Sequence, residues 1–224
     1  MSSLLLLSDF HLGSHVSRHD MIIKALEVDA ETIILNGDII DIDGTHRLTK
    51  KDWKVLSVLR KRSKHTHIHY LAGNHCQNIG EVLSELLDFQ FHRQDYSIIN
   101  EKLRIYITHG DIWDSFIGDH PLLTNFAGAI YYYFQRLDPT NQKIPRWLKH
   151  RSKSWLGAAN RVKNNAIKYA EKHKYDVVIA GHTHLAEEYL SDSGIYYYNL
   201  GCFTDWQCSY VLIDGNDVKL HYMV

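Results

Sequence analysis

The chain has 224 residues, a net charge of −1, 45% apolar residues and three prolines, the profile of one globular domain with a sizeable core. No stretch approaches the roughly 18 apolar residues of a membrane span, and Cys76, Cys202 and Cys208 make no disulfide framework, which favours a reducing compartment. The near-zero charge hides a split: Arg136 to Lys174 holds eleven Lys/Arg against Asp138 and Glu171, which suggests a local anionic partner rather than general nucleic-acid affinity.

Taken in order, Leu4 to Leu7 reads as a buried strand, too short for a signal-peptide core and with no basic segment before it. Asp20 to Glu31, with Ile22, Ile23, Leu26 and Val28, predicts a helix and hence a first βα unit. The apolar run Ile33 to Leu35 predicts a strand buried on both faces. It stops at Asn36-Gly37, where the backbone must turn and glycine can take φ > 0. Leu48 to Lys64 predicts a second helix whose basic end suits the helix dipole. Ile68 to Ala72 is a third strand, with His65, His67 and His69 alternating at its start and expected to be exposed. A helix over Ile79 to Leu87 follows. Then Phe89–Arg93, Tyr96–Asn100 and Leu103–Thr108 lie so close together that hairpins are expected.

Residues 113–173 break this pattern. Leu122, Phe126, Ile130, Tyr133 and Leu137 line one helical face, and Trp155, Ala159, Val162, Ala166 and Tyr169 line a second. Two such helices predict an αα-hairpin inserted between strands. The surplus aromatics Tyr131, Tyr132, Trp147 and Trp155 leave two readings open, plain helix packing or an apolar substrate groove beneath a lid. Strands return at Val177–Ala180, Leu185–Leu190, Ile195–Leu200, Ser209–Ile213 and Val218–Met223. The expected fold is α+β: a four-layer αββα sandwich forming one domain, with a helical hairpin lid inserted at about 113–173.

Five strand ends share one chemistry. Asp9 and His11 follow the first strand, Asp38 the second, Asn74 and His75 the third, His109 the strand before Gly110, and His182 and His184 the strand ending at Gly181. In open α/β sheets, ligands bind at the carboxyl ends of strands. A single such residue would be read as a turn or cap; five together reverse that reading.

The ordered set Asp9-x-His11, Gly37-Asp38-x-x-Asp41, Gly73-Asn74-His75, His109-Gly110-Asp111 and Gly181-His182-x-His184 resembles the calcineurin-like metallophosphoesterase superfamily. The resemblance implies two divalent cations, with Asp9, His11 and His184 on one, Asn74, His109 and His182 on the other, and Asp38 bridging. Imidazole, carboxylate and amide oxygen suit Mn²⁺, Fe²⁺ or Zn²⁺, with Mn²⁺ expected first. A bridging hydroxide would then attack phosphorus in line. His182 and His184, two residues apart, would reach adjacent metals from extended backbone. His75 is the implied catalytic non-ligand, stabilising charge or protonating the leaving oxygen. The family's usual Asp after it is Cys76 here, so another carboxylate, Asp41, is a candidate partner for His75.

Ser8 to Gly13, the His109 motif and the basic-aromatic insertion also resemble the UDP-2,3-diacylglucosamine diphosphatase-like group, although true diphosphatases carry Arg where His75 stands, and relatives have Asp-Trp at Cys202-Phe203. That resemblance implies a phosphorylated, acylated nucleotide-sugar substrate and a cytoplasmic enzyme in peripheral contact with the inner membrane through its insertion. Arg146, Lys149, Arg151 and Lys153 are the candidate phosphate contacts. The competing readings are a phosphomonoesterase or protein phosphatase of the same superfamily, and a non-catalytic scaffold.

Overall fold

A computed structural model of the chain describes residues 3–41, 47–74, 80–100, 102–114 and 152–223. Two mixed sheets form the centre. The first has six strands in the order β11-β10-β1-β2-β3-β4, built from β1 (Leu4–Leu7), β2 (Thr32–Asn36), β3 (His67–Leu71), β4 (Gln90–His92), β10 (Cys208–Asp214) and β11 (Asp217–Met223). The second has five in the order β5-β6-β7-β9-β8, from β5 (Tyr96–Asn100), β6 (Leu103–Ile107), β7 (Val177–Ala180), β8 (Glu187–Leu190) and β9 (Tyr196–Asn199). β1 to β4 run parallel, as do β6, β7 and β9.

Strand side chains alternate between faces, and three cores follow from that alternation. Leu5, Leu7, Ile33, Leu35, Ile68 and Tyr70 face outward onto helices α1 (His19–Ala25), α2 (Lys50–Arg62) and α3 (Gly80–Leu87). Leu4, Leu6, Ile34, Leu71, Ile105, Ile107, Val177 and Ile179 fill the space between the sheets. Tyr106, Val178, Ala180 and Tyr197 face outward from the second sheet onto Ala166, Ile167 and Ala170 of α4 (Lys153–His173). These are the expected αββα layers.

The loop after β1 is fixed by α2. Thr49 and Asp52 form a reciprocal capping box at that helix's start. The buried Asp52 carboxylate also accepts from Gly13 N–H at 3.0 Å and pairs with His19 Nε2 at 2.6 Å.

Two local expectations change. Gln90–His92 is no hairpin arm: it pairs in parallel with β3, so β3-α3-β4 is a further βα unit, and the chain crosses to the other sheet only at β5. His69 is half-buried, its Nδ1 2.9 Å from His92 Nε2, because its strand face turns toward the space between the sheets. The second helix predicted in the insertion is present as α4, whose Ala166, Ile167, Tyr169 and Ala170 pack on the second sheet between the parallel strands β6 and β7. The partner arm expected over residues 122–137 lies outside the described residues.

Candidate metal centre

The carboxyl ends of β1, β2, β3, β6 and β7 meet at one rim of the sandwich. Their turns are knitted together by backbone bonds: Asp9, His11 and Leu12 donate to the carbonyls of Gly37, Asp38 and Ile39 at 3.2, 3.0 and 2.9 Å, and Gly181 donates to His109 at 3.0 Å. Asp9, His11, Asp38, His182 and His184 all hold φ between 47° and 64°. Left-handed backbone costs a residue with a Cβ about 1–2 kcal/mol. Five instances in one place mark a site whose geometry is imposed by the surrounding fold. The pair His182 and His184 therefore does not rest on the extended backbone expected of it; a tight turn, with Thr183 N–H bonded to Gly181 O at 2.7 Å, sends the two rings apart.

Two glycines make room. Gly37 has φ 83°, and a Cβ there would sit 2.3 Å from His109 Nδ1; one on Gly73 would sit 2.3 Å from Asp38 Oδ1.

Asp9, His11 and His184 bring one ligand atom each to within 4.8 Å of one another. His184 Nε2 is 3.1 Å from Asp9 Oδ1 and 3.1 Å from His11 Nε2. His11 Nδ1 lies 2.9 Å from both oxygens of Asp41. Since a carboxylate can only accept, Nδ1 donates and Nε2 faces the group. Asp41 thus serves His11, while His75, the partner expected for it, lies outside the described residues.

Asp38, His109 and His182 form the second cluster, within the same 4.8 Å limit. His109 Nε2 is 3.2 Å from Asp38 Oδ2 and 3.2 Å from Asn74 Oδ1, while His182 Nδ1 is 3.1 Å from that same Asn74 oxygen. His109 Nδ1 donates to the Asn36 carbonyl at 2.9 Å, which leaves Nε2 for the cluster. The structure therefore brings together all seven residues expected to hold metal.

The electrostatics of the chain call for positive charge. Burial pushes the Asp9 and Asp38 carboxyls up, yet His184 and His11 hold Asp9 well below the usual range, and His109 brings Asp38 to about 2. Burial pushes the imidazoles down, but Asp38 lifts His109 to about 10, Cys202 and then Asp9 lift His184 to about 9, and the Asp41 hydrogen bond lifts His11 well above its ordinary value. Each shift favours the protonated imidazole, so the carboxylates draw positive charge to the place where divalent cations would sit. Asp9 supplies a direct test of fit: its Oδ2 accepts from Ser8 and from His182 N–H, while the buried Oδ1 has no hydrogen-bond partner and points at the two rings. An ionised oxygen with unused lone pairs between two imidazoles fits a cation.

His75, Cys76, Arg146, Lys149 and Arg151 lie outside the described residues, as does the Lys153 side chain at the start of α4. Several supporting residues escape the sequence reading. Asp114 stands 3.3 Å from His182 Nε2. Trp155 Nε1 donates to the Thr183 carbonyl at 3.0 Å, between the two histidines. Asn199 Nδ2 donates to Gly181 O at 2.9 Å and Thr183 Oγ1 at 3.1 Å, holding the same turn. Asn199 ends β9, so the strand-end rule applied once more would have found it. The sequence marks Trp155 only as a seam residue and a surplus aromatic, and carries no sign of its bond to backbone.

Comparison with known proteins agrees with this geometry. No curated protein matches the chain. Among solved structures, a novel archaeal phosphodiesterase is 17% identical, with 99% of each chain covered and a TM-score of 0.51. YfcE, a phosphoesterase from E. coli, is 20% identical over 96% of this chain and 90% of its own, also at 0.51. A protein of unknown function from Aquifex aeolicus is 15% identical over 91% of both chains, again at 0.51. At these identities the likeness is one of fold. The calcineurin-like phosphoesterase family model, however, matches residues 2–186, spanning the five strand ends that carry the candidate ligands, and the chain accordingly belongs to that family of metal-dependent hydrolases of phosphoric ester bonds.

Proposed function

We propose that the protein hydrolyses a phosphodiester or diphosphate bond using two divalent cations, one held by Asp9, His11 and His184, the other by Asn74, His109 and His182, with Asp38 serving both. The carrying observation is the convergence of two ligand clusters in which His11 and His109 each have their outer nitrogen fixed by an acceptor. When bound, the cations supply Lewis-acid activation of water and neutralise charge on the phosphoryl group. The chain's own part is positional. Asp41 and the Asn36 carbonyl orient the rings of His11 and His109, Ser8 fixes Asp9, and Asn199 with Trp155 holds the His182 turn. His75 remains the proposed group that stabilises charge on the phosphoryl group or protonates the leaving oxygen.

Within this class we favour a substrate like that of the UDP-2,3-diacylglucosamine diphosphatases and manganese as the metal. The support is the basic and aromatic composition of residues 136–174 together with the donor set, which lacks thiolate. A cytoplasmic location with membrane contact through the insertion belongs to the same proposal. Among the described residues, no helix is long and apolar enough to cross a membrane.

The test is a panel of UDP-linked acyl sugars, bare UDP-sugars, aryl phosphodiesters and aryl phosphates, assayed with manganese, iron or zinc. Preference for acylated diphosphates is the expected result. Equal turnover of acylated and bare sugars sinks the lipid assignment, and faster cleavage of aryl phosphates than diesters sinks the diesterase reading. Asp38→Ala should abolish turnover and lower metal content at both positions.

A further inference from the structure

Arg161 is not among the residues that the sequence suggests for binding phosphate, yet it stands beside the metal centre. It lies on α4, and its Nη2 is 3.7 Å from Asp114 Oδ1, while Asp114 Oδ2 is 3.3 Å from His182 Nε2. The pair is electrostatic without being a hydrogen bond: Nε and Nη2 of Arg161 are both buried and make no hydrogen bond. Buried guanidinium donors are nearly always satisfied, so two left over in one side chain need an explanation. The oxygen of Asp9 with unused lone pairs, on the other side of the same centre, has its explanation in a cation. A cationic group with unused donors has its counterpart in an anion.

The surroundings favour an approach from solvent. The Arg161 side chain leans toward the helix N-terminus over Gly157, with Nη1 3.5 Å from where a Cβ would stand. Any longer side chain at 157 would cover it. The side chain is 41% exposed although Nε and Nη2 are buried, so its exposure lies on the remaining atoms, at the Gly157 side. Lys163, two residues on, is taken up by Glu187.

Position selects which anion. Between Arg161 and the ligand nitrogens stand one carboxylate and one imidazole ring. The guanidinium is paired with Asp114 and not with a candidate ligand, so the anion it is placed to receive is one carried beside the reacting phosphoryl group. We infer that Arg161, held beside the centre by its ion pair with Asp114, forms a subsite for the second, non-reacting phosphoryl group of a diphosphate-containing substrate. The guanidinium would rotate from its loose contact with Asp114 into paired N–H···O bonds with that group. This inference rests on the phosphoesterase reading above and narrows it to substrates carrying two linked anionic groups.

The test measures anion binding to the manganese-loaded protein by calorimetry, with orthophosphate and the non-hydrolysable methylenediphosphonate as probes. Wild type should bind the diphosphonate more tightly than orthophosphate. Arg161→Gln should weaken the diphosphonate by about 10- to 100-fold, the range of a charge-assisted contact, and leave orthophosphate and metal content unchanged. Arg161→Lys, which keeps the charge without the fork, should recover part of the loss and guards against a folding defect in the first variant. An equal loss for both anions, or a loss of metal, would overturn the subsite and make Arg161 a support for Asp114 and His182. An unchanged diphosphonate affinity would overturn it as well. Failure of the parent reading looks different: wild-type protein would then bind neither anion in a manganese-dependent way.

Discussion

At the scale of single residues, the decisive feature is which atom of each histidine is already engaged. Asp41 holds His11 Nδ1, so Asp41→Asn should weaken metal at the Asp9 cluster by about 10- to 100-fold, the usual cost of losing an outer partner. The Asp38 cluster should be spared, and stepwise metal titration separates the two. Protons offer a second prediction. His109 and His184 are raised to about 10 and about 9 from the ordinary 6.5, so both are protonated at neutral pH. Their stabilising effect on the metal-free chain is full below pH 6.5 and is lost as pH rises through 9 to 10. Metal uptake at pH 7 should therefore release protons and strengthen with rising pH, readable from calorimetry in buffers of different ionisation enthalpy. The ligand residues themselves are legible in the sequence, because a strand end followed by Asp, Asn or His is a pattern of residue type and position. Their partners are not: the sequence offers Asp41 to His75, and only the path of the backbone after Asp38 reveals that its carboxylate holds His11.

Among the elements, α4 shows both the reach and the limit of periodicity. The spacing of Trp155, Ala159, Val162, Ala166 and Tyr169 establishes a helix with one buried face, but an apolar seam does not say what covers it. A second helix and the outer face of a sheet are equally good solvents for Ala166 and Ala170. The short segment at Phe89–Arg93 is ambiguous for a related reason, since three residues of strand carry no signal of direction. Two predictions belong here. Trp155→Phe removes the indole N–H that holds the Thr183 carbonyl and should destabilise the protein by about 1 kcal/mol, with weakened metal binding as the accompanying sign. Lys174 closes α4 in left-handed backbone, φ 61°. Lys174→Gly should stabilise the fold by roughly 0.5–1 kcal/mol without touching activity, as judged by thermal melts.

For the whole molecule, each ligand cluster draws on both sheets. Asp9 and His11 come from the first sheet and His184 from the second; Asp38 comes from the first, His109 and His182 from the second. The Asn36 side chain repeats the link in protein alone, donating to the Thr108 carbonyl at 2.8 Å. Cations at the rim would therefore clamp the two halves. Saturating metal at about 100 times its dissociation constant should add about 2.7 kcal/mol per site, so chelation should lower the melting temperature by several degrees. Shielding of β2 and β6 amides from hydrogen exchange should fall at the same time. An unchanged melt on chelation would place the ions outside the sheet junction.

The left-handed backbone at Asp9, His11, Asp38, His182 and His184 sets selection for durability against selection for chemistry. Glycine would relax each of these positions, and none of them could be so relaxed without losing a ligand. A variant library screened for survival of heat in chelator should accumulate such replacements at these five codons. The same library screened in manganese should keep them fixed, because there the bound ions offset the strain. Heat-hardened descendants of this chain raised without metal would be inert sandwiches of the same shape.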